Sequence, residues 1–381
     1  MAFRRTNKDI PKDVKSPDNI HKLGFTGNLR GQFVDEITGQ FFNFEKYENE
    51  RSNQLRYHAV HKAVRKELHR ILPKFGVKTR YMLEDNEGLS VVSLKPESAS
   101  ICILTSAGLG PGEDTDFSLV LGDSNNSAGL APGEVKELYL VVGDSKQDLG
   151  ILSRKAVLTE GGLACGSVLG LVAALRGKAM PEMVKVSDAA KLSLPDVVVF
   201  NAGELLWSNE TKQCMSGPSW HDRERKDRFS DQYTITDKHN RIPGHETPAT
   251  HVGRCLHAYL GHSAGPDTQI HIITIGDGSE NALSFLKTVD ADATLKAKLG
   301  TLKIKVAMVS PTHNDDFVTD PALNEYLAEH ARIWEAHSLP RGTLLPSTSI
   351  ARLSAGIEDT PDMIFPKVQG DVLKFFKEKS V

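Results

Sequence analysis

Residues 272–286, "IITIGDGSENALSFL", join an apolar β-branched run, a tight Gly-Asp-Gly-Ser turn and an apolar helical repeat. In hydrolytic enzymes built on parallel sheets, such a strand-turn-helix presents the nucleophile. The reacting side chain stands on a strained turn, small residues two positions away on either side leave room for it, and the helix N-terminus stabilises developing negative charge. Two residues are candidates. With Ser279 as nucleophile the flanks are Asp277 and Asn281, neither of them small. With Asp277 they are Ile275 and Ser279, so one side fits, and an aspartate nucleophile is chemically sound. The pattern Gly-x-Ser-x-Gly is absent.

Either nucleophile needs a base and an oxyanion site. The histidine belongs on the loop between the last strand and the last helix. That loop reads "SAGIEDTPDMIFP" here, and no histidine follows His337. His313, in "SPTHNDDF", is the alternative base, with Asp315 or Asp316 to orient it. Oxyanion donors should follow "ELYLVV", but "GDSKQD" (143–148) sets Asp144 and Asp148 there, negative charge where negative charge would develop. The turn therefore reads as a degenerate elbow with no catalytic residue, and Asp277 or Ser279 with His313 stands as the alternative of a rearranged hydrolase site.

Other constellations are weaker. "GGLACGSVLG" has neither the Lys-Ser of a phosphate loop nor the spacing of a dinucleotide fingerprint. His245, His251 and His257 lie close together, but "HETPATHVGRCLH" lacks H-E-x-x-H, and its Thr-Pro reads as a helix start. Cys102, Cys165, Cys214 and Cys255 are far apart without a CxxC, as in reduced thiols. No metal or cofactor is expected. Lys plus Arg number 46 against 49 Asp plus Glu, which gives no field for polyanions, so charge-driven nucleic-acid binding is not expected. Apolar stretches fall short of the roughly 20 residues that span a bilayer, and the basic, polar N-terminus has no signal core, so neither membrane nor export is expected.

The elements that must position the turn are legible in the spacing. Residues 1–21 read as a flexible arm, followed by one domain over 22–381 with variable loops at 107–134 and 202–247. "LGFTGNLRGQFVDEITGQFFNFE" reads as a hairpin entry. In "RSNQLRYHAVHKAVRKELHRIL", Val60, Val64, Leu68 and Leu72 repeat at helical spacing, with His58, His61 and His69 expected on the solvated face. "TRYMLE", "LSVVSLK" and "SICILTS" are strand-length runs expected at one end of a sheet. Strands at 137–142, 196–200, 269–275, 304–309 and 348–353 then alternate with helices near 166–177, 248–261, 280–288, 321–336 and 367–379. Continuous apolar strands separated by helices argue for a parallel sheet covered on both faces, active at its C-terminal strand ends. Trp207 and Trp220, with Arg223 and Arg225 in the polar stretch beyond, are the candidate partner-binding residues, together with exposed apolar residues of the N-terminal segment.

These segments, in this order, resemble the argonaute-binding Arb domain family. The match runs through Phe25, Gly27, Leu29, Arg30, Thr38, Gly39, Phe42 and Phe44 and the helix after them. It continues through "DVVVFNAGELLW", "ATHVGRCLHAYLGH", "THN" at 312–314, "SAG" at 354–356 and "VLKFF". The resemblance implies an α/β-hydrolase-like, mostly parallel sheet flanked by helices, with an N-terminal extended and helical segment. Family members are similar to α/β hydrolases, and some keep a serine-containing elbow and a histidine before the last helix; the matching places here are Asp277 and "EDTPD". A domain of this kind also forms the C-terminal part of fungal class II histone deacetylases. The resemblance implies a non-catalytic scaffold of RNA silencing and heterochromatin assembly in a fungal-type nucleus and cytoplasm. Its partners would be argonaute and a second argonaute-binding subunit, or a histone deacetylase complex.

Overall fold

Unbroken apolar strands are stable only where both faces of a sheet are covered, because successive side chains point to opposite sides. The computed structural model describes residues 17, 19–28, 31–44, 50–84, 90–93, 100–106, 137–177, 195–221, 234–260, 268–288, 303–312, 320–347, 349–360 and 363–378. A short hairpin opens this part of the chain, β1 (Phe25–Gly27) with β2 (Phe33–Asp35). Ten further strands form one sheet in the order β4-β3-β5-β7-β6-β10-β11-β12-β14-β13. These are β3 (Lys78–Glu84), β4 (Ser90–Ser93), β5 (Ile101–Thr105), β6 (Glu137–Val142), β7 (Asp196–Phe200), β10 (Gln269–Ile275), β11 (Lys303–Val309), β12 (Ala331–Glu335), β13 (Leu344–Leu345) and β14 (Arg352–Ser354). The remaining pair, β8 (Leu206–Ser208) and β9 (Gln213–Met215), is a separate hairpin. Strands β7, β6, β10, β11, β12 and β14 run parallel, and antiparallel strands close both ends. The arrangement is α/β and compatible with an α/β-hydrolase-like fold.

The alternation in β6 shows how the layers form. Tyr139 and Val141 join a core shared with helices α1 (Glu50–Ile71), α2 (Val168–Leu175) and α6 (Ile364–Lys377). Leu138, Leu140 and Val142 join the opposite core, shared with α3 (Pro248–Ala258), α4 (Gly278–Thr288) and α5 (Pro321–His330). Val60, Val64, Leu68 and Leu72 are the buried stripe of α1 and its following turn, each side chain contributing about 1.5–3 kcal/mol. Helix α2 is apolar all round because it is buried all round. Helix α3 starts at Thr247, whose hydroxyl and that of Thr250 form a reciprocal capping box with Pro248 in the first turn.

Several expectations shift. The helical reading of 321–336 covers two elements: α5 ends at His330, and "ARIWE" is strand β12, with Ile333 and Trp334 buried. Its apolar run fits either state by periodicity; pairing between β11 and β14 decides it. The last strand is confined to Arg352–Ser354, and α6 begins at Ile364, before Pro366, because a proline in the first turn removes only an N–H that has no intrahelical partner. His61 faces the core rather than solvent, and His69 Nε2 lies 3.1 Å from the Leu149 carbonyl. The arm at 1–21, apart from 17 and 19–21, and the whole of the expected loop at 107–134 lie outside the described residues.

Histidines buried without charge link the fold to pH. The backbone N–H of Asn201 donates to His251 Nε2 at 3.2 Å, so His251 carries its proton on Nδ1, 2.9 Å from Nδ1 of His245. Burial pushes His61 down to about 3 and His245 down to about 4, and holds His251 well below 6.5. In the unfolded chain all three bind a proton near 6.5, so below that pH the unfolded state takes up more protons and stability falls as pH falls. Urea unfolding from neutral pH down to about 4 is expected to lose at most about 1.4 kcal/mol per pH unit per histidine. A midpoint that stays flat over this window would remove the effect.

Candidate functional site

In an open parallel sheet, a crevice forms at the carboxyl ends of two neighbouring strands whose connections leave in opposite directions. Here those strands are β6 and β10. From β6 the chain passes through α2 to β7 on one side; from β10 it passes through α4 to β11 on the other. Both end in the same dipeptide, Gly143-Asp144 and Gly276-Asp277. Val142 stands opposite Thr274, so the two Gly-Asp pairs leave the sheet side by side.

The turn after β10 has one residue in the left-handed region, Gly276 at φ 58°. Its N–H donates to the Val309 carbonyl at 2.9 Å, which ties the turn to β11. Gly278 follows as the first residue of α4, and a Cβ there would meet the Val142 carbonyl oxygen at 2.5 Å and that of Gly143 at 2.8 Å. Helix and strand therefore approach closely at this point because glycine permits it. The strand, sharp turn and helix of a nucleophile elbow are present, and the strained position is held by a residue with no side chain.

Asp277 extends its carboxylate across the crevice. Oδ1 accepts the backbone N–H of Ser145 at 2.8 Å, and Oδ2 accepts the Ser145 hydroxyl. Asp144 reciprocates: its Oδ1 accepts the N–H of Lys146 at 2.8 Å, and its carboxylate also accepts the backbone N–H of Asp277. Burial holds the Asp144 carboxyl above the ordinary carboxylate range; the Asp277 charge adds to this, and the N–H donors oppose it. Ser145 N–H is the kind of donor that an oxyanion loop offers from the end of β6. The chain's own carboxylate takes it.

Ser279 is fully buried, and its Oγ lies 2.7 Å from Thr274 Oγ1, so it points back into the sheet and not into the crevice. His313, Arg223 and Arg225 lie outside the described residues. His337 follows β12; its N–H donates to the Ile357 carbonyl at 2.9 Å, and its Nδ1 accepts the Leu339 N–H at 3.1 Å. These contacts fix it against the late loop and do not reach Asp277. At the end of β11, Thr312 gives its hydroxyl to Glu280 Oε1 at 2.6 Å. Asp148, expected beside the oxyanion loop, instead pairs with Arg154 at 3.1 Å and accepts the Ser216 hydroxyl at 3.3 Å.

Trp207 and Trp220 do not serve as exposed anchors. Trp207 is 1% and Trp220 3% exposed. Trp207 belongs to the α1-side core, and its indole N–H donates to Asn209 Oδ1 at 3.1 Å. The reason is ordinary: large apolar side chains go inward, and Trp207 joins Cys214 in the core. Large apolar residues that keep surface are Ile37, Phe41 and Phe44 of the N-terminal segment, with Leu339 and Leu344. Two features escaped the sequence reading. Ser145 gave no motif signal, although the repeated Gly-Asp at two strand ends marks the place. The Arg65–Glu204 pair, with Nη2 donating to Oε2 at 2.7 Å, joins α1 to the turn after β7.

Among the described residues no group of three or more His, Cys, Asp or Glu is placed to hold a metal ion, and no helix is long and apolar enough to cross a membrane. The profile of the Arb2 domain matches residues 133–341, which takes in both strand ends of the crevice. No curated protein matches the sequence. Among solved structures, a histone deacetylase from Saccharomyces cerevisiae is similar at 11% identity and a TM-score of 0.35, covering 82% of this chain and 93% of that one. A likeness this slight bears on nothing at the site.

Removing the Asp277 carboxylate strands two donors. Asp277→Ala is expected to lower the unfolding free energy by about 1–3 kcal/mol, and Asp277→Asn by less, since its carbonyl still accepts the Ser145 N–H. Gly278→Ala is expected to cost about 1–3 kcal/mol by crowding the end of β6. Urea denaturation measures all three, and an Asp277→Ala chain as stable as the parent would dispose of the clamp.

Proposed function

From the premise that this chain belongs to the Arb2 domain family, we propose that it is a non-catalytic scaffold of an argonaute small-RNA-loading complex. In this reading it acts in RNA silencing and heterochromatin assembly, in the nucleus and cytoplasm of a fungal-type cell, beside argonaute and a second argonaute-binding subunit. The observation that carries the non-catalytic part is the bond from Ser145 N–H to Asp277. Acyl transfer needs free donors aimed at the developing oxyanion, and a carboxylate on those donors both occupies them and repels the charge to be stabilised. A serine activated for attack must also reach substrate and a base, and Ser279 is sealed beneath the turn. The assembly part rests on family membership, and the absence of a net basic charge favours contact with a protein over direct contact with RNA.

Two measurements on one preparation test this. The tagged full-length chain, purified from its own cells, is expected to bring down argonaute in stoichiometric amount. The same material should take no label from a fluorophosphonate probe and turn over no p-nitrophenyl ester. Ester turnover that Asp277→Ala or Ser279→Ala abolishes would replace the scaffold with a rearranged hydrolase. Recovery of deacetylase subunits in place of argonaute would keep the scaffold and change its partner.

A further inference from the structure

Cys102 and Cys214 are 112 residues apart in the chain, on β5 and β9, yet their Sγ atoms are 3.3 Å apart. Both are free thiols and both are buried. The Cys214 thiol donates to the Ser100 carbonyl at 2.9 Å, so in the contact between the sulfurs it is Cys102 that donates. The environments of the two differ. The Tyr81 hydroxyl and the Arg65 guanidinium, itself paired with Glu204, lie near Cys102. Contact with Cys102, and then burial, push the Cys214 thiol up. Two thiols with their sulfurs in van der Waals contact can serve as an attacking and a resolving cysteine. Cys255 is placed differently, against Met82 Sδ at 3.6 Å and the His251 ring.

We propose that Cys102 and Cys214 are a site of covalent modification, closing to an internal disulfide with a hydroperoxide as oxidant. Cys102 Sγ attacks one peroxide oxygen; an S–O bond forms, the O–O bond breaks, the Cys102 proton is released, and the departing oxygen takes up a proton and leaves as an alcohol or water. Cys214 Sγ then attacks the Cys102 sulfur; the S–S bond forms, the S–O bond breaks, and the hydroxyl leaves as water with the Cys214 proton. The two thiols lose two electrons and two protons in all, and the hydroperoxide is reduced by the same two electrons. A disulfide needs sulfurs about 2 Å apart, so they close by little more than an ångström. Such a burial admits only a small oxidant, and hydrogen peroxide is close to water in size. The bond would fasten β9 to β5. One residue beyond β9, Ser216 holds Asp148 on the loop after β6, so the fastening extends to one wall of the crevice.

The full-length chain, reduced and then treated with hydrogen peroxide, is denatured in an alkylating agent and digested without reductant for mass spectrometry. The expected product is one peptide pair joined through Cys102 and Cys214, lighter by two hydrogens than its parts, with Cys165 and Cys255 recovered alkylated. The melting temperature is expected to rise on oxidation and to return with dithiothreitol. In Cys214→Ser, dimedone should trap a sulfenic acid at Cys102; if that variant does not fold, the peptide map of the parent chain decides alone. Recovery of both cysteines as alkylated thiols after peroxide, or a cross-link through Cys165 or Cys255 instead, would overturn the proposal.

Discussion

A carboxylate withdrawn from water has to be met by donors, and at the centre of this sheet the donors of Ser145 meet Asp277. The two strands that define the crevice lie in the middle of the ten-stranded sheet, so whatever joins their ends joins its two halves. The exchange is mutual, since Asp144 returns a carboxylate to the backbone of Asp277. Loop backbone at the end of a parallel strand ordinarily offers N–H groups to an anion from outside. In this chain the fold supplies that anion itself, and the crevice becomes a joint between its walls.

The N-terminal segment follows a similar logic with aromatic rings. Phe25 is buried, and the Arg56 guanidinium of α1 lies over its ring at 5.3 Å and over that of Phe42 at 4.6 Å. Arg56 Nη1 also donates to the Asn43 carbonyl at 2.8 Å. The turn between is shaped by Asp35, whose Oδ1 accepts the N–H groups of Ile37 and Thr38 at 3.0 Å, and by Gly39 at φ 68°. These residues therefore have structural work: they dock the hairpin on the long helix. Arg65 then docks the helix on Glu204, so hairpin, helix and sheet are connected through two arginines of one helix.

Much of the architecture was legible because burial writes itself into spacing. The runs at 137–142, 196–200 and 269–275 are strands at the bounds read from sequence, since each is apolar on both faces and ended by Gly, Asn or Asp. "ARIWE" was not legible, because five residues that suit a helix end and a buried strand equally are assigned by their neighbours. At the crevice, the missing late histidine and the acidic loop after β6 were plain in the sequence. What was hidden was direction. Nothing in the letters says that Asp277 turns toward Ser145, that Ser279 turns inward, or that Trp207 and Trp220 lie beneath the excursion that carries them. For Asp277 the direction is set by a contact 132 residues away in the chain, which local periodicity does not encode.

Gly276 couples the two sides of the crevice. Its left-handed backbone lies one residue before Asp277, and a β-carbon placed there runs into the Asp144 carboxylate. A side chain at 276 would thus make the Asp144 carboxylate shift, and removing Asp144 would take an acceptor from the Asp277 and Lys146 N–H groups. Residues 144 and 276 are therefore coupled: a change at either one alone disturbs the hydrogen bonds that close the crevice.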